Sequence, residues 1–120
     1  MSEHPWILAT EPSPDARNVP SEMHISIHFK EDMSRHTLNA RNILILDGMD
    51  GGRLISNRFA YRYHAEKNML QIYFKDRGDG FACGNDIEVI LTGRIANASN
   101  VTMDIPYSFH FSTASRLRID

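Results

Sequence analysis

Apolar and polar side chains alternate at every second position in several short segments of this chain. In residues 23–29 the odd-numbered members are Met, Ile, Ile and Phe, and the residues between them are His, Ser and His. The same alternation recurs in four further segments, residues 59–64, 69–74, 87–92 and 107–112. Successive side chains of a strand lie on opposite faces of its sheet, whereas a helix repeats every 3.6 residues. The pattern therefore predicts strands with one buried and one solvated face.

Turn-forming residues separate the alternating segments. The clusters are residues 12–15, 47–48, 50–52, 66–68, 76–80 and 97–100, which are rich in Pro, Gly, Asp and Asn. Short strands divided by such clusters predict an antiparallel all-β sandwich or barrel. The one stretch that could form a helical turn, residues 34–40, is too short to be an independent element.

Composition limits the classes of protein to which the chain can belong. A length of 120 residues fits one domain, and 42% hydrophobic with 23% charged residues is ordinary for a globular protein. The net charge of −2 gives no attraction to nucleic acid or to an anionic membrane. Cys83 is the single cysteine, so no intrachain disulfide forms, and no apolar run is long enough for membrane insertion. The first residues lack the features of a signal peptide, which leaves a cytosolic protein and a fragment of an exported protein both open.

Six short pieces occur in the order and at the spacing of a known domain family. They are Pro12-Ser13-Pro14, Asn18-Val19-Pro20, residues 25–33 (ISIHFKEDM), residues 37–43, residues 87–93 (IEVILTG) and residues 106–113 (PYSFHFST). Together they resemble the SbsA-type Ig-like domain of bacterial surface-layer and other cell-surface proteins. Two positions depart from that pattern: Asp32 replaces a proline, and residues 97–100 replace an Asp-x-x-Gly turn. Asparagine tolerates the left-handed backbone that glycine supplies, so we expect the turn to be kept.

The resemblance implies an immunoglobulin-like Greek-key β-sandwich of seven to eight strands. We expect one domain over residues 1–120, with its core at about residues 6–114 and short flexible termini. The implied role is a non-catalytic structural or spacer module of a bacterial cell-surface or exported protein. Its expected partners are neighbouring domains of a larger chain or a cell-surface component. The resemblance carries no catalytic, cofactor or metal site, and it implies a location at the cell surface, although the missing signal peptide leaves a cytoplasmic one open.

Several residues invite a chemical role, and each has a simpler explanation. His24 and His28 share a strand face but lie about 13 Å apart, too far to bind one zinc ion. The acidic loops at residues 47–51 and 76–80 lack the Asp-x-Asp-x-Asp-Gly register of calcium loops, and Asp-Gly pairs favour tight turns. Arg77-Gly78-Asp79 spells a tripeptide that some integrins bind, within a predicted turn. Cys83 has no histidine near it in sequence and is expected to be a half-buried structural thiol. We expect no enzymatic activity.

One strand is apolar on both faces and is the candidate interface. In Ile43-Leu44-Ile45-Leu46, the two isoleucines are expected to face the core, so that Leu44 and Leu46 face outward, with Leu54 as an extension. This apolar face predicts contact with a neighbouring domain or subunit, or cover by a loop of the same domain. An alternative function is binding of carbohydrate or cell wall in adhesion, for which Trp6 and Tyr73 are the candidate stacking residues.

Overall fold

Two four-stranded antiparallel sheets make up the computed structural model, which describes residues 4–114. The first sheet has the order β1-β2-β6-β5 and the second the order β4-β3-β7-β8. The strands are β1 (Ile7–Glu11), β2 (Ile25–Phe29), β3 (Ile43–Asp47), β4 (Arg53–Leu54), β5 (Phe59–His64), β6 (Met69–Phe74), β7 (Asp86–Leu91) and β8 (Tyr107–Ser112). The other elements of this part of the chain are four 3₁₀ turns of three residues each. None of its helices has the length and apolar character needed to span a membrane.

The strands confirm the predicted immunoglobulin-like β-sandwich. All five alternating segments form strands, and the chain crosses between the sheets after β2, β4 and β6. The expected helical turn is reduced to the 3₁₀ turn Arg35–Thr37. Alternation did not reveal β1, which contains a bulge between Ile7 and Ala9, or β4, which is only two residues long. Most of the expected flexible termini, residues 1–3 and 115–120, lies outside the described part.

The interior between the sheets is filled by the inward half of each alternating pattern. Isoleucine, leucine and valine side chains meet in the middle, and the fully buried ones include Ile27, Leu70, Ile45 and Val89. Toward one end, rings pack edge to face, with the Phe81 and Phe111 centroids 5.7 Å apart. No buried side-chain nitrogen or oxygen of the described residues lacks a hydrogen-bond partner. A packed apolar layer therefore occupies the space between the sheets.

The turn at residues 97–100 keeps its geometry without glycine. The Oδ1 atom of Asn97 accepts hydrogen bonds from the backbone N–H groups of Ser99 and Val101, both at 2.9 Å. Asn100 adopts the left-handed conformation, with φ of 65°. The expectation that asparagine replaces glycine at this turn is confirmed.

The chain enters and leaves the sandwich at opposite ends. The His4 ring lies 5.2 Å from the ring of Tyr107, the first residue of β8. Ala114, two residues beyond the other end of β8, accepts a hydrogen bond of 2.7 Å from the backbone N–H of Gly84. We call these ends the N-terminal pole, marked by His4 and Tyr107, and the C-terminal pole, marked by Gly84 and Ala114.

Candidate interface on the second sheet

The outer face of the second sheet brings the three predicted interface residues together. Ile43 and Ile45 are fully buried, so the alternation of β3 turns Leu44 and Leu46 to the opposite face, where both are half-buried. Leu46 is paired with Leu54 of β4, which is 53% exposed. Leu44 is paired with Ile90 of β7, a half-buried residue that was not among the predicted interface residues. We call Leu44, Leu46, Leu54 and Ile90 the apolar patch.

A groove lined by both charged and apolar residues adjoins the apolar patch and shares Leu46 with it. The row that starts at Leu46 continues across the sheet through Glu88 to His110. The Nε2 atom of His110 lies 3.1 Å from Oδ1 of Asp15, which belongs to the segment beside β8. Asp86, also on the groove, accepts a hydrogen bond of 2.6 Å from the Ser112 hydroxyl. An apolar centre with a charged rim is the usual anatomy of a protein contact surface.

Asp47 uses its carboxylate within the domain, at the start of the acidic loop. Oδ1 of Asp47 accepts hydrogen bonds from the backbone N–H of Met49 and from Nδ2 of Asn85, at 3.0 and 2.8 Å. Asn85 is fully buried, and its Oδ1 accepts a hydrogen bond of 2.8 Å from the same backbone N–H of Met49. A Cβ atom on Gly48 would lie 2.6 Å from the carbonyl oxygen of Asp86, so only glycine fits there. Turn geometry and close packing therefore explain this Asp-Gly pair.

The Arg77-Gly78-Asp79 tripeptide presents a carboxylate that is already bound. The guanidinium of Arg58 donates to both oxygens of Asp79 through Nη2 and Nε. This hydrogen bond holds the pKa of the Asp79 carboxyl below its usual range. Arg58 also lies over the Phe74 ring, with its guanidinium carbon 5.3 Å from the centroid. The charge pair thus ties the loop at residues 76–80 to the 3₁₀ turn Ser56–Arg58, which directly precedes β5.

Histidine and cysteine side chains are dispersed over the described surface. His24 is exposed and its ring packs 5.6 Å from that of Tyr73, while His28 is half-buried at the other end of β2. Within residues 4–114 no three His, Cys, Asp or Glu side chains are grouped closely enough to hold a metal ion. The expectation of a half-buried Cys83 is wrong, because the thiol is exposed. Cys83 lies in the turn before β7, where Ala82, Cys83 and Gly84 are all exposed.

The two aromatic residues considered for carbohydrate binding lie apart. Trp6 is half-buried and packs against the core near the N-terminal pole, where its carbonyl oxygen accepts a bond from Lys30. Tyr73 is half-buried on the outer face of the first sheet, near the opposite end of β6, and is paired with Ala60. The two rings do not form one stacking platform.

Comparisons with known proteins agree with the architecture. The family described as "Bacterial Ig-like domain" matches residues 2–113. CopC from Methylosinus trichosporium OB3b is similar in structure, with a TM-score of 0.66 and 13% identity over 96% of this chain and 98% of that one. Domains 1–6 of the surface layer protein SbsC give a TM-score of 0.62 and 9% identity over 92% of this chain and 14% of that one. The N-terminal part of the bacterial S-layer protein SbsC gives a TM-score of 0.61 and 10% identity over 90% of this chain and 23% of that one.

Identities this low establish the likeness of fold and nothing about shared chemistry. Among curated protein sequences, none matches the chain. The family match spans nearly all of the described residues and agrees with the two-sheet topology. The chain belongs to the bacterial Ig-like domain family.

Proposed function

We propose that the domain is a non-catalytic spacer of a bacterial cell-surface or exported protein, of the SbsA type. The observation that carries this proposal is the position of the two poles. The chain enters beside Tyr107 and leaves beside Gly84, near opposite ends of β8. A module built in this way adds its full length to a chain of domains. Cell-surface location follows from the same proposal.

The filled interior supports a mechanical rather than a chemical role. Phe29, Phe109 and Phe111 are each no more than 3% exposed and pack where a reaction cleft would have to open. The Arg58–Asp79 pair ties a surface loop to the strands, and its ionised groups already have each other as partners. A stiff sandwich of this kind keeps two neighbouring segments at a fixed separation.

The apolar patch is the surface through which we propose that a neighbouring domain makes contact. Leu54 is the most exposed member at 53%, and it lies beside Leu46 on the outermost strand pair of its sheet. Asp86 and Glu88 flank the patch and favour a neighbour with basic side chains around an apolar centre. Such a contact would fix the angle between consecutive modules.

Replacement within the parent protein tests the spacer role. The domain is deleted in one variant and exchanged in another for an unrelated Ig-like sandwich of similar length whose termini also lie at opposite ends. A spacer predicts that deletion impairs assembly or display of the parent protein and that the exchange restores it. Failure of the exchange, with the foreign domain shown to be folded, would contradict a purely mechanical role.

Carbohydrate or cell-wall binding is the second candidate function, and Tyr73 is its support. This ring lies half-buried on the outer face of the first sheet, where it is paired with the small residue Ala60 and packs 5.6 Å from the ring of His24. Binding of cell-wall glycans by the domain, abolished by Tyr73→Ala and unaffected by Tyr107→Phe, would favour this function. Absence of glycan binding by the wild-type domain would remove it.

A further inference from the structure

The edges of the two sheets are protected unequally. The outer edge of β8 is covered by residues 15–19, since Ser112 exchanges backbone hydrogen bonds with Ala16 and Val19 at 2.9 and 3.0 Å. The edge strand β1 contains a bulge and is followed by Pro12, and β4 has only two residues. Bulges, prolines, covering segments and short strands are the usual devices that prevent further strand pairing. β5 has none of these.

β5 is a regular six-residue strand with open backbone groups. It pairs with β6 over all six residues without a bulge. The backbone N–H of Lys75 donates to the carbonyl of Arg58 at 3.0 Å, which marks residues 58 and 75 as a hydrogen-bonded pair. In an antiparallel ladder such pairs alternate, so the N–H and C=O groups of Tyr61 and Tyr63 point away from β6. Within residues 4–114 these outward groups have no hydrogen-bond partner.

A shallow groove with two unpaired arginines lies along this edge. Arg35 and Arg62 line it together with Leu38 and the tyrosines of β5, and both arginines are exposed. Neither guanidinium has a carboxylate partner in the described part of the chain. The nearby Asp32 carboxylate instead accepts a hydrogen bond of 2.5 Å from the Tyr63 hydroxyl. Glu66 is 71% exposed and approaches only His64, at 3.9 Å.

We propose that the open edge of β5 binds an extended acidic segment of a partner protein by β-strand addition. The backbone of the added strand pairs with Tyr61 and Tyr63, and alternate side chains fall on the face that carries Arg62. Carboxylates at those positions meet Arg62 on the outer face, and the inward side chains approach Arg35. A second copy of this chain fits less well, because two-fold pairing would bring the Arg35 and Arg62 side chains of both copies together.

Amide NMR with synthetic peptides tests this proposal on the full chain. One probe is a peptide of alternating Glu and Thr, and the other replaces each Glu by Lys. In the free domain the amides of Tyr61 and Tyr63 should exchange with solvent much faster than those of Ala60 and Arg62. The Glu peptide should protect both tyrosine amides and should bind at least about tenfold more tightly than the Lys peptide.

Two charge-reversal variants distinguish binding at the β5 edge from nonspecific attraction between the peptide and the protein's overall charge. Arg62→Glu should invert the preference between the peptides, whereas Arg17→Glu, at an exposed arginine beside β8 in the other sheet, should leave it unchanged. Well-dispersed spectra of both variants establish that they fold, and Arg62→Gln, which should abolish the preference, replaces Arg62→Glu if that variant does not fold. The proposal is overturned if the Glu peptide binds more weakly than about 1 mM, binds at another surface, or binds no better than the Lys peptide. Self-association that protects the same two amides in the free chain would assign the edge to a second copy instead.

Discussion

Ser56 joins the edge of β3 to the segment after β4, and Ser56→Ala should destabilise the domain strongly. The Ser56 hydroxyl donates a hydrogen bond of 2.8 Å to the carbonyl of Ile43 and accepts one of 2.9 Å from the N–H of Ile45. Ser56 is 2% exposed and both isoleucines are fully buried. Alanine would leave one backbone donor and one acceptor without partners in an apolar environment.

The expected loss in the free energy of unfolding comes from these two backbone groups. A buried polar group left without a partner costs about 1–3 kcal/mol, so the pair costs roughly 2–6 kcal/mol. The total free energy of unfolding of a domain of this kind is about 5–15 kcal/mol. With an unfolding entropy of about 2.1 cal/mol/K per residue, a loss of about 2 kcal/mol in 120 residues lowers the Tm by about 8 °C.

Urea unfolding of the wild-type domain and two serine variants measures this loss. Ser108→Ala is the matched control, because Ser108 is exposed on the outer face of β8 and its removal should change the free energy of unfolding by no more than about 0.5 kcal/mol. The m-values should agree, so that the midpoints report stability alone. If Ser56→Ala were as stable as Ser108→Ala, the hydroxyl would not be the partner of the two backbone groups and the account of this edge would be refuted.

Three further predictions concern the core, the apolar patch and the dependence of stability on pH in acid. Phe111→Ala should lower the free energy of unfolding by about 3–5 kcal/mol in chemical denaturation, because the ring is 1% exposed and packs against Phe81; a loss below about 1 kcal/mol would contradict its place in the core. Leu44→Lys should leave a folded monomer by circular dichroism and sedimentation if the patch is an open contact surface, whereas loss of folding would assign Leu44 to the core. Because the Asp79 pKa is lowered in the folded state, the stabilisation by its ionised form is present above the unfolded-state pKa and is lost as the pH falls through the folded-state pKa. Urea midpoints should therefore show wild type more stable than Asp79→Asn at neutral pH, with the difference vanishing in strong acid; a difference independent of pH would contradict this origin.

The fold could be predicted because most of its strands bury one face only. In β2, β5, β6, β7 and β8 the period of two is visible in the residues themselves, and the buried members, apart from Ser26, are those that the pattern assigns to the core. β1 was missed because its bulge shifts the alternation by one residue. β4 was missed because two residues cannot show a period.

The candidate surfaces could be predicted only in part. Leu44 and Leu46 stand out because they are apolar residues at the positions of β3 whose side chains face solvent. Ile90 breaks the alternation of β7 in the same way. That shared exception was the available signal for Ile90. Leu54 and Ile90 come to the same patch only through the pairing of their strands with β3, and the local sequence does not show which strands pair.

Some structural roles depend on contacts that have no local pattern. Ser56 resembles any turn serine until β3 is placed beside it, and Asn85 resembles a loop residue although it is fully buried. The open edge of β5 likewise emerges only from the order of strands in the sheet. The exposure of Cys83 was mispredicted because it depends on where β7 begins, and the sequence does not show that β7 begins only at Asp86.

Small-angle X-ray scattering of tandem proteins with one, two and three copies tests whether the domain acts as a spacer. Each copy is joined from Ala114 to the His4 of the next by a short linker, since these residues lie at opposite poles. If the domain is a spacer, the maximum dimension grows by the same increment with each added copy. Growth that stops after the second copy, as expected if the modules fold back side by side, would contradict a spacer built from opposite poles.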